Sequence, residues 1–319
     1  MENTRGRSNV GEKGYVAVVG GVNIDIGGKP FQPLIAKDSN PGRVSVSLGG
    51  VGRNIAHNMA LLGLEVRFLT AFGDDLYARQ IEDSCISLGI DISCARKISG
   101  GVTSTYIFLS EADGDMAMAV SDMEICEQIS PAYLAANLTL INNARVVVAD
   151  GNLSENSLQY LASHCTVPLF VDPVSVAKAK KLKGILSSIH TFKPNRIEAE
   201  ALSGIPVSDV TSACTSAEKL LESGMRRVFL SLGSRGVLAA DRNEAFFQES
   251  FPAAVRNTTG AGDAFMAALV WAYLKEMDLR GSTMAASAAA AIATESKETI
   301  NPALSEETLR ARMNNIMEE

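Results

Sequence analysis

Short apolar runs alternate with amphipathic segments along most of this chain of 319 residues. The run at residues 15–21 ends in two glycines and is typical of a strand that is buried on both faces of a parallel sheet. Helical periodicity follows such runs, for example at residues 154–165 and 214–223. Comparable apolar runs recur at residues 146–149, 169–171, 191–193 and 228–232. The alternation predicts an α/β fold in which helices cover both faces of a mostly parallel central sheet.

Two segments, at about residues 27–48 and 102–123, depart from this alternation of strand-like and helical patterns. The first is rich in glycine, proline and serine, and it ends in a stretch of alternating apolar and polar residues. The second contains two strand-like stretches, 103–110 and 116–120, joined by a turn that contains Asp113-Gly114, a strong hairpin signal. The two segments predict a small antiparallel sheet beside the main one. It is either a lid that excludes water from a reactive site or a plain edge hairpin.

Composition and charge narrow the class of protein. An apolar content of 46% and a charged content of 20% are ordinary for a soluble enzyme, and the net charge of −7 disfavours nonspecific nucleic-acid binding. The five cysteines are widely spaced and without a CxxC pair, so we expect reduced thiols in a cytoplasmic protein. We expect no membrane span, a flexible polar tail over residues 1–14, and a single domain over residues 15–317.

The most informative motif is the turn at residues 257–263, which reads Asn-Thr-Thr-Gly-Ala-Gly-Asp and opens a helical segment. The first N–H groups of a helix have no partner within it, and together with the helix dipole they form an anion site. Asp263 would repel a bound anion unless it accepts a proton from a hydroxyl group. That hydroxyl would then attack a phosphoryl group held by the amides of Gly260, Ala261 and Gly262. The alternative is that the turn only caps the helix.

A second glycine cluster, Gly49-Gly50-Val51-Gly52, precedes another amphipathic helix. Glycines at such a position allow a ligand to approach the backbone closely. The next two residues, Arg53 and Asn54, could donate hydrogen bonds to hydroxyl or phosphate oxygens. The alternative is an ordinary junction between a loop and a helix.

Three stretches together resemble the PfkB family of carbohydrate kinases, which are also called ribokinase-like kinases. Residues 49–63 resemble the family's N-terminal signature, residues 257–269 its C-terminal signature, and residues 193–200 its Asn-x-x-Glu element. The resemblance covers roughly residues 15–317. It implies a ribokinase-like three-layer α/β/α sandwich with a small β-sheet lid, and an enzyme that uses ATP and Mg²⁺ to phosphorylate a hydroxyl group.

The resemblance also implies roles for individual residues. Asp263 would be the catalytic base, and the amides of Gly260, Ala261 and Gly262 would hold the transferring phosphoryl group. Glu198 would organise Mg²⁺ through water molecules, together with Asn195. The residues implied in substrate binding are Asn23, Asp25, Gly49, Gly50, Arg53, Asn54 and Asp150. The residues implied in nucleotide binding are Asn195, Ser231, Gly233, Ser234, Gly236 and Ser287.

One departure from the family pattern concerns a monovalent cation. Potassium-activated relatives often have aspartate at the first position of the C-terminal motif, where this chain has Asn257. Such relatives tend to have glycine in a later loop, where this chain has Glu298. These two residues put activation by potassium in question.

Further stretches resemble the members of the family that phosphorylate the nucleoside pseudouridine. They are residues 21–28, 38–42, 121–123, 149–153 and 170–175. This resemblance implies transfer of the γ-phosphoryl group of ATP to the 5′-hydroxyl group of pseudouridine, in a homodimer whose lids pair. The alternatives are a kinase for ribose or a purine nucleoside, or a sugar-binding regulator without catalytic activity.

Three polar residues on the lid segments, Ser39, Asn40 and Asp122, are candidates for reading the base. Pseudouridine carries a ring N–H group that uridine lacks. A buried acceptor that faces this group would be left unpaired by uridine, which can give strong discrimination between the two nucleosides. We therefore expect one or more of these side chains to contact the base.

Overall fold

The computed structural model describes residues 14–112 and 116–317. Residues 1–13 of the expected tail, and the tip of the predicted hairpin at residues 113–115, lie outside the described residues. In chain order, the strands are β1 (Val16–Val19), β2 (Asn23–Pro30), β3 (Gly42–Gly49), β4 (Val66–Leu69), β5 (Ala71–Phe72), β6 (Arg96–Lys97), β7 (Thr105–Ser110), β8 (Met116–Asp122), β9 (Val146–Asp150), β10 (Leu169–Asp172), β11 (Thr191–Phe192), β12 (Arg227–Ser231), β13 (Val237–Asp241) and β14 (Ala245–Gln248). The α-helices are α1 (Val51–Leu61), α2 (Leu76–Ser87), α3 (Pro131–Ala136), α4 (Leu138–Asn142), α5 (Glu155–His164), α6 (Val176–Ala179), α7 (Arg196–Ser203), α8 (Val210–Glu222), α9 (Ala261–Leu274), α10 (Leu279–Thr294) and α11 (Glu306–Met317).

The central sheet has eight strands in the order β14-β13-β12-β11-β10-β9-β1-β4. Neighbouring strands from β12 to β4 are parallel, and β13 and β14 are added antiparallel at one edge. Side chains alternate between the two faces, so that Val16 and Val18 pack in one apolar cluster and Ala17 and Val19 in the other. Each apolar run that predicted a strand forms a strand of this sheet, and the predicted α/β fold is confirmed.

Helices cover both faces of the central sheet. Helices α1, α9 and α10 pack in the cluster that contains Val16, whereas α3, α5, α7 and α8 pack in the cluster that contains Ala17. This is the expected three-layer α/β/α sandwich. Helix α9 is apolar on all sides and is buried along most of its length, which fixes the position of its first turn. No helix in the described part of the chain is both long and apolar enough to cross a membrane.

The second sheet has four strands in the order β3-β2-β7-β8, and we call it the lid sheet. Strands β2 and β3 form an antiparallel pair, as do β7 and β8. The expectation of a wholly antiparallel sheet was wrong, because β2 and β7 are parallel. Both strands start at the same end of the lid sheet, where Ile24 pairs with Thr105, and run in the same direction. A third, two-stranded sheet pairs β5 with β6.

The two faces of the lid sheet carry different side chains. We call the face that carries Asn23 and Asp25 the inner face, and the opposite one the outer face. One row of paired residues on the inner face consists of Asp25, Ser47, Tyr106 and Ser121. The next row, on the outer face, consists of Ile26, Val46, Ile107 and Val120. The inner face is therefore polar and aromatic, and the outer face is apolar.

Candidate active site

Asp263 lies in the first turn of α9 and is only 8% exposed. Its Oδ2 accepts a hydrogen bond of 2.9 Å from Nδ2 of Asn54, which lies at the start of α1. The two glycine motifs therefore meet, although these residues are 209 positions apart. Burial raises the pKa of Asp263 to about 7, with a further rise from the Asp172 carboxylate, whereas Asn54 and Lys193 oppose the rise. A carboxylate that titrates near neutral pH is suited to accept a proton from a hydroxyl group.

The turn before Asp263 leaves main-chain N–H groups open to a ligand. Gly260 has a φ of 84°, and a Cβ atom there would overlap the carbonyl oxygen of Thr299, so the position requires glycine. Among the described residues, the amides of Gly260 and Gly262 have no acceptor. The amide of Ala261 makes only a long contact of 3.4 Å with the carbonyl oxygen of Thr258. The turn at residues 260–262, which we call the amide turn, can therefore bind an anion at the N-terminus of α9.

A buried ion pair between Lys193 and Asp172 lies beside this turn, and neither residue was among the predicted site residues. Nζ of Lys193 lies 3.1 Å from Oδ2 of Asp172, and less than a tenth of either side chain is exposed. A Cβ atom at Gly262 would lie 3.0 Å from the same Nζ. Burial alone would lower the pKa of Lys193, but the carboxylates of Asp172, Glu198 and Asp263 outweigh it and raise the pKa. Lys193 therefore holds a fixed positive charge against the amide turn.

Four residues that the resemblance implies in substrate binding meet where β2 begins and β3 ends, at one end of the lid sheet. Nδ2 of Asn23 donates to Oδ1 of Asp25 over 2.6 Å. A Cβ atom at Gly49 would overlap the Asp25 carboxylate, and Gly50 has a φ of 95° with no room for a side chain. Burial raises the pKa of Asp25, while the hydrogen bond from Asn23 and the charge of Arg53 lower it. The cluster presents a carboxylate and an amide close to two bare glycines, as hydroxyl recognition requires.

Asp150, at the end of β9, is buried and holds the backbone of the site by hydrogen bonds. It is 1% exposed, and its Oδ2 accepts hydrogen bonds from the amides of Gly21 and Gly52, at 2.9 and 2.8 Å. Its Oδ1 accepts from the amide of Asn152 at 2.8 Å. The carboxylate thereby ties together the two glycine segments, and this geometry does not favour the direct substrate contact that the resemblance implies. Arg53 is also enclosed, at 4% exposure.

A cavity of about 600 Å³ adjoins the amide turn. Lys193, Ala261 and Gly262 line it, so the cavity is continuous with the anion site. The residues implied in nucleotide binding that line it are Ser231, Gly233, Ser234, Gly236 and Ser287. Oγ of Ser287 is buried without a hydrogen-bond partner among the described residues, and so it can bind a polar group of a ligand. The volume is typical of a small-molecule site.

Asn195 and Glu198 form a capping box at the start of α7. The amide of Glu198 donates to Oδ1 of Asn195 at 3.0 Å, and the amide of Asn195 donates to Oε2 of Glu198 at 2.8 Å. Asn195 also pairs with Ser231, which lines the cavity. In the described ranges, no three His, Cys, Asp or Glu side chains are grouped to hold a metal ion. The Glu198 carboxylate beside the Asn195 amide fits Mg²⁺, which takes one or two protein carboxylates and completes its shell with water and substrate phosphates.

The structure does not bring Ser39 and Asn40 to the site. Both lie beyond the far end of β2, roughly 20 Å from Asn23 at about 3.3 Å per residue. Asn40 is engaged in its own loop, where it accepts from the amide of Ile35 and donates to the Ile35 carbonyl group. Asp122 lies at the near end of β8, but alternation along the strand turns its side chain to the outer face. Within one subunit, these three residues are therefore poorly placed to read a base.

Two aromatic side chains on the inner face were missed by the sequence analysis. Tyr106 pairs with Asp25 and Phe108 with Gly27, and their ring centroids lie 5.8 Å apart. A Cβ atom at Gly27 would lie 2.5 Å from Cζ of Phe108, so a glycine there lets this ring lie across β2. The alternation along β7 is the signal that could have identified them, because both rings occupy the positions that share a face with Asp25.

Asn257, the residue that departs from the family pattern, connects two loops. Its Nδ2 donates to the carbonyl oxygen of Lys297 at 3.2 Å, and its Oδ1 accepts from the amide of Thr259 at 3.0 Å. The side chain thus links the amide turn to the loop before Glu298 by direct hydrogen bonds.

Comparisons with known proteins indicate the family of this chain. Residues 13–306 match the model of the pfkB family carbohydrate kinases. A pseudouridine kinase from Escherichia coli strain K12 is 39% identical over 296 residues, which cover 92% of this chain and 95% of that protein. A guanosine-inosine kinase from Exiguobacterium acetylicum is 27% identical over 80% of this chain and 86% of its own length. The structure of Arabidopsis thaliana ribokinase complexed with ribose and ATP superposes with a TM-score of 0.85, covering 95% and 99% of the two chains at 21% identity.

The fold and the site together define a phosphotransferase of the ribokinase-like class. The match over most of the chain and the identity to a curated relative make the assignment specific, and the chain belongs to the pfkB family of carbohydrate kinases. The family and the fold that the sequence motifs implied are thereby confirmed.

Proposed function

We propose that this protein transfers the γ-phosphoryl group of ATP to the 5′-hydroxyl group of pseudouridine and forms pseudouridine 5′-phosphate. The observation that carries the proposal is the position of Asp263 between Asn54 and an open amide turn, beside the buried charge of Lys193. The similarity to a bacterial pseudouridine kinase supports the choice of acceptor. The cytoplasm, where its five free thiols would stay reduced, is the location that we propose.

In the proposed reaction, Asp263 accepts the proton of the 5′-hydroxyl group as its oxygen attacks the γ-phosphorus atom. A phosphorus–oxygen bond to the nucleoside forms while the bond to ADP breaks, and the oxygens of the transferring group carry negative charge throughout. The amides of Gly260, Ala261 and Gly262, together with the ammonium group of Lys193, lie where they would stabilise that charge. Asn54 occupies one oxygen of Asp263 and leaves the other for the hydroxyl group.

The nucleotide would occupy the 600 Å³ cavity, with its phosphates at the amide turn and its base toward Ser287. Mg²⁺ bound to the phosphates would neutralise part of their charge. Asn195 and Glu198 would hold this ion through water molecules, because both lie at the start of α7 next to the cavity. The protein contributes position and a fixed charge, which are the main requirements of phosphoryl transfer.

The inner face of the lid sheet favours a nucleoside over a bare sugar. A sugar bound at Asn23 and Asp25 would place an attached base along the rings of Tyr106 and Phe108. Aromatic side chains stack on the flat faces of bases, whereas ribose alone offers no comparable surface. Ser121, which pairs with Tyr106 on the same face, is placed to reach polar groups at the edge of a base.

A phosphorylation screen with ATP across pseudouridine, uridine, ribose, adenosine and inosine tests the proposal. We expect kcat/KM for pseudouridine to exceed that for uridine by at least about 10²-fold, since the two nucleosides differ in one ring N–H group. A preference for ribose or a purine nucleoside would replace the proposed acceptor by that compound. Binding of pseudouridine without turnover of any acceptor would favour a sugar-binding regulator.

Replacing Phe108 by alanine should raise KM for the nucleoside by about 10- to 100-fold, because stacking contributes about 1–3 kcal/mol per base. KM for ATP should stay unchanged, since the cavity for the nucleotide lies elsewhere. Ile86→Ala, at an exposed position on α2 outside the lid sheet, is the control. Equal effects of the two substitutions on KM for the nucleoside would show that the base does not lie on the inner face.

The outer face of the lid sheet exposes a contiguous apolar surface. The side chains on it with exposures between 37% and 70% are Val44, Val46, Ile107, Leu109, Met118 and Val120. The strand register places them in two adjacent rows. Exposed apolar surfaces of this kind mark interaction sites, and two sheets pack well face to face. We propose that the lid sheet of a second copy covers this face and forms a homodimer.

Replacing Val120 by aspartate should convert the dimer to monomers, because a charge in the middle of a sheet-on-sheet interface would lose its hydration. Sedimentation velocity of the wild type and the variant measures this change directly. Val102→Asp is the control, since Val102 is similarly exposed, at 67%, but lies outside the lid strands. A wild-type protein that sediments as a monomer at micromolar concentration would contradict the proposed dimer.

A further inference from the structure

Arg53 is a buried cation whose position does not match a substrate contact. Its side chain lies at the start of α1, between the lid sheet and α2. Nη1 donates to the carbonyl oxygen of Leu48 at 3.1 Å, and Nη2 donates to Oγ of Ser84 at 3.1 Å. Leu48 is next to the end of β3, where the lid sheet joins the main body. The guanidinium group therefore connects the attachment point of the lid to two helices.

Arg53 also contacts the residue that holds the proposed base. Nη1 of Arg53 lies 3.4 Å from Oδ1 of Asn54, and Nδ2 of the same amide donates to Oδ2 of Asp263 at 2.9 Å. A guanidinium group only donates hydrogen bonds, and a carboxylate only accepts them. One orientation of the Asn54 amide satisfies both neighbours, with its oxygen toward Arg53 and its nitrogen toward Asp263. The reverse orientation would place oxygen against carboxylate and nitrogen against guanidinium.

We propose that Arg53 is a positioning residue that fixes the orientation of the Asn54 amide against Asp263 and links this orientation to the attachment point of the lid at Leu48. Without Arg53, the amide can rotate, and Asp263 loses its hydrogen-bond donor in part of the molecules. A hydrogen bond to the charged form of a carboxylate lowers its pKa, so its loss moves the pKa of Asp263 upward. The kinetic consequence rests on the proposed function, whereas the change in pKa does not.

Other charged and titratable groups lie around Arg53 and Asp263, and the test has to separate their titration from that of Asp263. Arg53 faces Asp25 on β2, Cys85 on α2 and His57 on α1. Burial and the charge of Arg53 lower the pKa of His57 to about 4, and burial raises the pKa of Cys85 to about 11. Asp263 itself faces Asp172, Lys193 and Asp150. A comparison of each protein with its Asp263→Asn form cancels the titration of the other groups to first order.

The test is a cycle of four proteins: wild type, Asp263→Asn, Arg53→Met, and the variant with both substitutions. The Tm of each is measured between pH 5 and pH 9 without any ligand. Because the pKa of Asp263 is raised in the folded state, the wild type loses stability relative to Asp263→Asn as the pH rises toward 7, and the difference levels off above that. In the Arg53→Met background, the pH at which this difference levels off should be higher by at least about 0.5 pH unit.

Kinetics provide a second readout on the same variants. With the best acceptor from the phosphorylation screen, Arg53→Met should lose at least about 2-fold in kcat at pH 7, as a 0.5-unit rise in the pKa of Asp263 requires, and recover most of it by pH 9. Arg79→Met, an exposed arginine on α2, is the matched control and should behave as the wild type. If Arg53→Met does not fold, Arg53→Lys serves, because one ammonium group cannot make all three contacts. If the Tm difference caused by Asp263→Asn depends on pH in the same way in the wild-type and Arg53→Met backgrounds, the proposal is overturned. This holds whether or not any acceptor is phosphorylated.

Discussion

Replacing Asp263 by asparagine should lower kcat by at least about 10²-fold and leave the fold intact. Asparagine has the same shape but cannot take a proton from the attacking hydroxyl group, and general base catalysis contributes about 10²–10⁴-fold. Steady-state rates with ATP and pseudouridine at pH 8, where Asp263 is ionised in the wild type, measure the effect. Thr215→Val, an exposed position on α8, serves as a control for the preparation.

The same substitution separates the proposed base from a residue that only caps α9. A capping carboxylate stabilises a helix, so its loss should destabilise the protein at pH 8 while kcat stays near the wild-type value. A base held with a raised pKa gives the opposite result. At pH 8 the charged Asp263 is buried and unfavourable, so Asp263→Asn should melt at a higher temperature than the wild type. A near-normal rate together with a lower Tm would establish the capping role.

Replacing Lys193 by methionine should lower kcat by on the order of 10²–10³-fold. The ammonium group lies beside the amide turn, where negative charge would collect on the transferring phosphoryl group in the proposed reaction. Loss of one such donor typically has an effect of this size. KM for the nucleoside should change little, because Lys193 lines the nucleotide cavity. Lys219→Met, an exposed lysine on α8, is the control.

This substitution also breaks a buried ion pair, and the two effects need to be separated. Removal of Lys193 leaves Asp172 buried without its partner, which can reduce stability by about 3–5 kcal/mol. The double variant with Asp172→Asn removes the uncompensated charge and should recover most of the stability. We expect kcat to stay low in that variant. Recovery of both stability and kcat would mean that Lys193 acts only through the ion pair.

The sequence was sufficient to predict the central sheet, because strands that are buried on both faces read as uninterrupted apolar runs. The family resemblance implied substrate binding for Asn54 and catalysis for Asp263, and these two side chains do meet. Lys193 is the first residue of the stretch that carries the Asn-x-x-Glu element. Lysine is most often exposed, however, and nothing in the local sequence indicates that this one is buried. Its role depends on Asp172 and Gly262, which come close only through the packing of β10, β11 and α9.

The lid sheet shows where sequence reasoning reached its limit. The hairpin of β7 and β8 was predicted, and the segment that forms β2 and β3 was assigned to the same small sheet, but the parallel pairing of β2 with β7 is a long-range contact without a local signal. The face of each residue in turn depends on strand register, which is why Asp122 was chosen as a base contact when its neighbour Ser121 shares the inner face with Tyr106. Asn40 was chosen for its polarity, and it turned out to be engaged within its own loop.

Strand β7 contributes side chains to both faces of the lid sheet within six consecutive residues. Tyr106 and Phe108 belong to the inner face, and Ile107 and Leu109 to the outer one. Mutations at neighbouring positions can therefore alter one surface without the other, so the proposed acceptor contacts and the proposed subunit contacts can evolve separately. Adding or deleting one residue at the start of the strand would exchange the two sets of side chains. Length changes here should be far less tolerated among related kinases than replacements of individual residues.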